Sequence, residues 1–451
     1  MPVYHIQPQD LLFFRDARPM EPQSPGGGHG ARWPHPAVFF DAIHAALWRA
    51  FPAPGANGFA DHSFFLKKGG RRIAVSKQRT WFQSLTTAGP FPVVNQQWLF
   101  PGPADALPDG GHLLPITEHQ GASNRPEPLR YSLGATSLFT KDTAAPWWSK
   151  DAITAYLADG RAPSRGQTFD AEDLFDAEWT TGIGTNPLTD TQDGERIYSA
   201  QYLRLREEAR LGLWAALPEK NGFDGMDHLF RPQDDLQIML AGGQQRACRV
   251  ERQPVTDLTT LLPSSSPLPA GCTRVKWILL SPAVFPAVPI QDHPGGWLPT
   301  WIHPKDGSVL LNKVQTDTSP TATGHRKERR KTSDMDLLRC CRLVAACIPK
   351  PLVLTGWTEA LHVPDMDENG QRYNHRPRGP QETLLAVPPG SVYYFECPEG
   401  AAQTLSELLS WHGDKTQGVE RIVHRRSSLL GEKGFGLGVC GPWHPYESAF
   451  K

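Results

Sequence analysis

The sequence lacks long apolar runs, paired cysteines and any clear excess of one charge, and each lack removes a class of protein. A transmembrane helix needs about 20 consecutive, mainly apolar residues, and no run of that kind occurs, so no membrane association is expected. Cys248, Cys272, Cys340, Cys341, Cys347, Cys397 and Cys440 form an odd set without a CxxC pair or a companion histidine spacing. That pattern predicts reduced thiols in the cytoplasm and no structural metal. Val3 to Pro8 reads as a strand and no basic segment precedes an apolar core, so no signal peptide is expected. GxxxxGKS/T, HExxH and GxSxG are missing too, which counts against P-loop hydrolysis, zinc peptidase and serine hydrolase chemistry. The formal net charge of −1 averages over the whole surface and argues neither for nor against nucleic acid, whose footprint is a local patch.

What is present is enough apolar residue for a large core: 451 residues at 39% hydrophobic support two or three domains. The 43 prolines and 41 glycines are dispersed among apolar runs and form no repeat, which predicts a loop-rich globular protein of short strands. The first fifty residues are the most informative. A strand over Val3–Pro8 leads to the apolar Leu11-Leu12-Phe13-Phe14 and then to Arg15-Asp16-Ala17-Arg18, two guanidiniums bracketing a carboxylate. Asp16 is expected to orient the arginines, and Arg15 and Arg18 to make the contacts. The stretch Pro25 to Gly30 offers bare backbone that can lie against a bulky ligand. From Ala37, the residues Phe39, Ile43, Ala46 and Leu47 recur at three and four, so an amphipathic helix ends before Pro52. Strand, basic turn, glycine loop and helix N-terminus together suit an anion.

These residues also carry a resemblance. The run YxIxPxDLLFFRDARP, with the glycine loop and the Trp33-Pro34-His35-Pro36 helix start, resembles the third-subunit family of the type III-B CRISPR Cmr effector, in the repeat-associated mysterious protein (RAMP) superfamily. Further blocks are similar to the family pattern: Gly89-Pro90-Phe91, then Phe100-Pro101, then Glu178 to Ile183, Arg196-Ile197-Tyr198-Ser199 and Tyr202-Leu203-Arg204, and the pair Gly242-Gly243 followed by Arg246. The resemblance implies an α+β fold of two ferredoxin-like, RRM-like βαββαβ modules, the N-terminal one carrying long insertions. It implies a non-catalytic RNA-binding subunit of an antiviral ribonucleoprotein, without a cofactor. Such a subunit holds the 5′ repeat-derived tag of the crRNA, docks to the large polymerase-like subunit, abuts the first backbone subunit and meets target RNA indirectly.

The order of the chain agrees with two modules. Residues 1–255 form the expected first domain, 256–271 a serine- and proline-rich linker and 272–451 the second domain, which restarts with a strand over Arg274–Leu280. Basic residues between 64 and 82, including Arg71, Arg72 and Arg79, alternate with Phe64, Phe65, Trp81 and Phe82. That mixture suits single-stranded RNA, and equally a solvated hairpin with core-facing rings; as an RNA element it would be the thumb inserted into the guide–target duplex. Expected RNA contacts elsewhere are Gly28, Arg32 and Trp33 near the first helix, Arg130, Arg196, Tyr198 and Arg204, the hairpin residues Gly242, Gly243 and Arg246, and the glycine-rich loop Gly434, Phe435 and Gly436. Two alternatives stay open. One is a crRNA-processing endoribonuclease with His29 or His35 as general base; the other is a protein scaffold with little RNA contact.

Overall fold

Alternating apolar residues build two antiparallel sheets, one on each side of residues 254–273. The structure is a computed structural model, described here over residues 2–17, 28–50, 65–68, 71–74, 82, 84–117, 124–137, 144–185, 189, 191–217, 225–230, 238–255, 257–311, 338–358, 379–380, 382–414, 421–423 and 425–446. The first half contains β1 (Val3–Pro8), α1 (Pro36–Ala50), β2 (Thr86–Val94), β3 (Gln97–Pro101), β4 (Trp147–Ser149), α2 (Lys150–Asp159), β5 (Thr168–Phe169), β6 (Phe175–Thr185), β7 (Gln192–Leu205), β8 (Ala209–Ala216), α3 (Gly225–Leu229), β9 (Ile238–Ala241) and β10 (Arg246–Gln253). The second contains β11 (Arg274–Leu279), β12 (Arg342–Cys347), β13 (Val392–Glu396), α4 (Ala401–Leu409) and β14 (Gly438–Pro442). The fold is mixed α/β, with many strands and few helices.

The eight-stranded first sheet runs β9-β10-β1-β8-β2-β3-β4-β5, and β6 pairs with β7 as a separate two-stranded ribbon. Its middle, β10-β1-β8-β2, is antiparallel throughout. The second sheet runs β12-β13-β11-β14, again antiparallel at every pair. Read in chain order, both four-strand groups place the fourth strand beside the first, then the third, then the second.

Period two divides the side chains of each sheet between two cores. Tyr4, Ile6, Leu211, Leu213 and Ala215 face α1, whose Phe39, Ile43 and Leu47 fill the same cluster. The opposite face presents Val3, Trp214 and Ala216, and these join Ile278, Val344, Val392, Tyr394 and Val439 of the second sheet. The second sheet turns Val275, Trp277, Leu279, Tyr393 and Phe395 outward onto Ala402, Leu405 and Leu409 of α4. The sheets therefore stack through one shared core. Helix α2 closes it with Ala152, Ile153, Tyr156 and Leu157, and is itself delimited by the Ser149 cap, which accepts from Ala152 N at 3.2 Å, and by Gly160 at φ 71°. The serine- and proline-rich segment runs along this seam, with Leu258 and Leu262 buried. No described helix is long and apolar enough to cross a membrane.

The seam also holds charge. Asp105 is wholly buried and accepts the Tyr394 hydroxyl at 2.5 Å, while buried Lys276 holds its ammonium 3.9 Å from the centroid of the Tyr156 ring. Burial lowers the Lys276 pKa, and the Asp105 charge opposes that fall. Carboxylate and ring together offset the loss of water around the ammonium. Asp105→Asn is expected to cost about 3–5 kcal/mol because it leaves an uncompensated buried cation. Adding Lys276→Met is expected to recover part of that loss, as read by urea unfolding of the single and double variants.

Candidate nucleic-acid interface

Four pieces of chain converge beside the first sheet. After β1, Leu12 and Phe14 enter the main core, while Leu11 and Phe13 form a satellite with Ala200 and Tyr202 of β7. Leu12 and Leu203 exchange backbone hydrogen bonds at 2.9 and 2.8 Å, so the turn is fastened to the ribbon. Arg15 then bridges to Gly30, and Gly28 bridges to Ala200. The fourth piece is the β9–β10 turn. Gly242 has φ 70°, and a Cβ there would lie 2.6 Å from Phe13 O, so only glycine fits. Gly243 N donates to the same Phe13 carbonyl at 2.7 Å.

Charged and aromatic groups line this junction. The Arg246 guanidinium lies 5.2 Å from the centroid of the Tyr202 ring, and Phe13 packs 5.3 Å from that ring on a tilted plane. Arg204 donates to Glu178 at 2.8 Å and approaches Asp10 at 3.5 Å. Its hydrogen bond and charge contact with Glu178 raise its pKa. Arg15 and Arg32 are exposed, and Asp16 is half-buried. The structure thus brings Arg15, Gly28, Arg204, Gly242, Gly243 and Arg246 together from three distant sequence blocks.

Other expected contacts are placed differently. Trp33 turns inward: its Nε1 donates to Pro90 O at 2.9 Å and its ring meets Trp147 edge-on at 5.4 Å. It anchors the start of α1 and is corrected to a packing residue. Phe435 is wholly buried with Ala37, Val284, Leu354 and Ala386, so its ring is closed to a base. The backbone N–H groups of Gly434, Phe435 and Gly436 are spent on Gly431, Leu430 and Pro282 carbonyls. Gly434, at φ 99°, lets the loop lie on Thr87 O and Ala88 Cα of β2, so this glycine loop joins the two halves and does not cradle a phosphate. Arg425 completes that joint by donating to Thr87 O at 2.7 Å and Gly431 O at 2.5 Å. Arg130 lies against β12, its backbone donating to Val344 O, away from the junction. Arg18 and Arg79, like the basic run 324–331, lie outside the described residues. Arg71 and Arg72 fall on a strand paired with Phe65–Lys68, and Arg196 and Tyr198 on β7, with side chains outside the description.

One exposed ring was quoted in the sequence motif without a role. Trp179 is 49% exposed on β6, with His29 edge-on at 5.2 Å. The signal was period two: Ala177, Trp179, Thr181 and Ile183 alternate with the acids Asp176 and Glu178. Among the described residues, no group of three or more histidines, cysteines and acids could hold a metal.

Comparison with known sequences decides the family. The profile of CRISPR-associated protein (Cas_Cmr3) matches residues 4–443, through both halves and the long insertion between β2 and β8. The chain belongs to the Cas_Cmr3 family. It is therefore a RAMP-type subunit of a type III CRISPR effector of the Cmr kind. Solved structures similar to it include a chain of the type III-B Cmr-beta complex bound to cognate target RNA, at 12–13% identity and TM-score 0.38, covering 87% of this chain and 86% of that one. A chain of the Csm3–Csm4 subcomplex of the type III-A interference complex matches at 9% identity and TM-score 0.37, over 99% and 100% of the two chains. A chain of the Csm1–Csm4 cassette in complex with AMPPNP matches at 14% identity and TM-score 0.29, over 63% and 78%. No curated protein matches the sequence significantly.

His35, at the start of α1, is partly enclosed by Phe435, and burial lowers its pKa, with Asp41 raising and Lys433 lowering it further. As pH falls, the unfolded chain takes up this proton first. The resulting stability is full above the ordinary histidine value of 6.5 and is lost as pH falls through the folded-state value. His35→Asn is expected to flatten that fall in unfolding free energy below pH 6.5, measured by denaturant titration across pH 5–8.

Proposed function

We propose that this family member holds the 5′ repeat-derived tag of the crRNA without cutting it, docks against the large polymerase-like subunit, and abuts the first backbone subunit of the effector. The carrying observation is the convergence of Arg15, Gly28 and Arg246 where the turn after β1 meets the β6–β7 ribbon. Guanidiniums that fix phosphate positions, beside backbone free of side chains, suit a single strand held in register. The shared strand order of the two halves supports two ferredoxin-like modules, the first with the insertion 95–208 and the second with no helix longer than one turn in its first crossover among the described residues.

Within this reading, Arg15, Arg246 and Arg32 make phosphate contacts, and Asp16 sets the direction of the turn's arginines, Arg18 among them. Arg204 gives an oriented edge to the ribbon, because Glu178 and Asp10 already engage it. Arg196 and Tyr198 extend the surface along β7. The ribbon is a better candidate for the thumb than residues 64–82: its base is bonded at Leu12–Leu203 and Gly28–Ala200, Trp179 is exposed between those two anchors, and Ile183 is exposed beyond them. The nuclease reading loses support from its own residues, since His29 packs on Trp179 and His35 is enclosed at the head of α1.

Charge reversal at Arg15 and Arg246 in the assembled effector is expected to weaken crRNA tag retention, and to reduce the salt dependence by about 0.7 in log K per log salt for each lost contact. Filter binding over a salt series measures it. Unchanged retention with release of a neighbouring subunit would point to the scaffold reading. His29-dependent or His35-dependent cleavage of repeat RNA would point to the nuclease.

A further inference from the structure

The β6–β7 ribbon has two unlike faces. Ala177, Trp179, Thr181 and Ile183 stand opposite Leu203, Gln201, Ser199 and Ile197 in the antiparallel register, and none of these eight is charged. The other face carries Asp176 and Glu178, which pair with Arg206 and Arg204 at 2.8 Å. On the uncharged face, Trp179 and Ile183 are 49% and 51% exposed, although apolar surface of that size is normally covered. His29 meets the indole at 82° and 5.2 Å, an edge contact that steadies the ring while leaving much of it to solvent.

We propose that Trp179 is a stacking platform for an unpaired nucleobase of the bound RNA, with His29 holding the ring and Gln201, Ser199 and Thr181 supplying hydrogen-bonding groups for the base edge. The occupant follows from the neighbouring chemistry. Phosphate gains nothing from a face without charge, whereas a base has a π-face for the indole and edge groups for amides and hydroxyls. The cation needed for the adjoining phosphate stands close by in the backbone network. Arg15 bridges to Gly30, the residue after His29, and Gly28 lies against Ser199 and Gln201, with Gly28 N donating to Ser199 O at 2.6 Å. A ring beside a guanidinium is the pairing that single strands use. This inference rests on the reading that the chain holds RNA.

The test uses the assembled effector with crRNA in which single tag nucleotides are replaced by 5-bromouridine, ultraviolet crosslinking, and mass spectrometry of the linked peptide. A crosslink at Trp179 is expected. Trp179→Ala is expected to weaken tag binding about 5- to 100-fold with an unchanged salt slope, and Trp179→Phe to retain most of the affinity. Arg15→Glu, in contrast, lowers the slope. Wild-type affinity in Trp179→Ala with no crosslink overturns the stacking role while crRNA retention leaves the RNA-holding reading standing. A crosslink from Trp179 to a partner subunit overturns it as well, by assigning the face to protein. If the wild-type chain fails to retain crRNA in the assembly, the RNA-holding reading itself fails.

Discussion

The burial of two sheet faces against each other is the constraint from which the rest of this molecule follows. Each sheet has one face under a helix and one face turned to the other sheet, with α2 and Leu258 and Leu262 closing the seam between them. Trp214 and Val3 on one side, Ile278 and Val439 on the other, can leave water only together. Neither half is therefore independent of its neighbour in the way that beads on a string are. Lys276, Asp105 and Tyr394 place a polar cluster inside this seam, where partial satisfaction is costly and a shifted register would strand a charge.

With the core set between the sheets, the functional groups are carried by chain that returns to the rim of the first one. The turn after β1, the glycines before α1, the β7 strand and the β9–β10 turn meet through backbone hydrogen bonds, not through side chains alone. Such bonds hold direction well, so Arg15, on irregular chain, and Arg246, the first residue of β10, both project from a built frame. The CRISPR family assignment and this geometry bear on different matters: one gives the assembly to which the chain belongs, the other the surface it can offer there.

Much of this was legible from residue order. The spacing of Phe39, Ile43 and Leu47 marked α1, and the glycine pair between Leu236 and Val250 marked the β9–β10 turn. Family motifs in three separate blocks pointed to residues that the fold does gather. Partnering was not legible. The use of a glycine for a ligand or for another stretch of chain depends on what lies opposite, and Gly434 and Gly436 face Thr87 and Ser427. Trp33, expected as a contact beside Arg32, donates instead to Pro90, a partner 57 residues away that residue order does not reveal. Arg204 likewise meets Asp10, from the other end of the first half.

The excursion from residue 95 to residue 208 has an unusual double duty. Besides adding β3, β4 and β5 to the edge of the sheet, it supplies Asp105 and α2 to the interior, and then the ribbon to the outside, before the chain returns to the middle of the sheet at β8. Surface insertions are commonly dispensable decorations that a lineage can trim back to a short hairpin. This one behaves as a keystone, because trimming it would unroof the second sheet along β14 and at the same stroke remove the β6–β7 ribbon to which the turn after β1 is fastened.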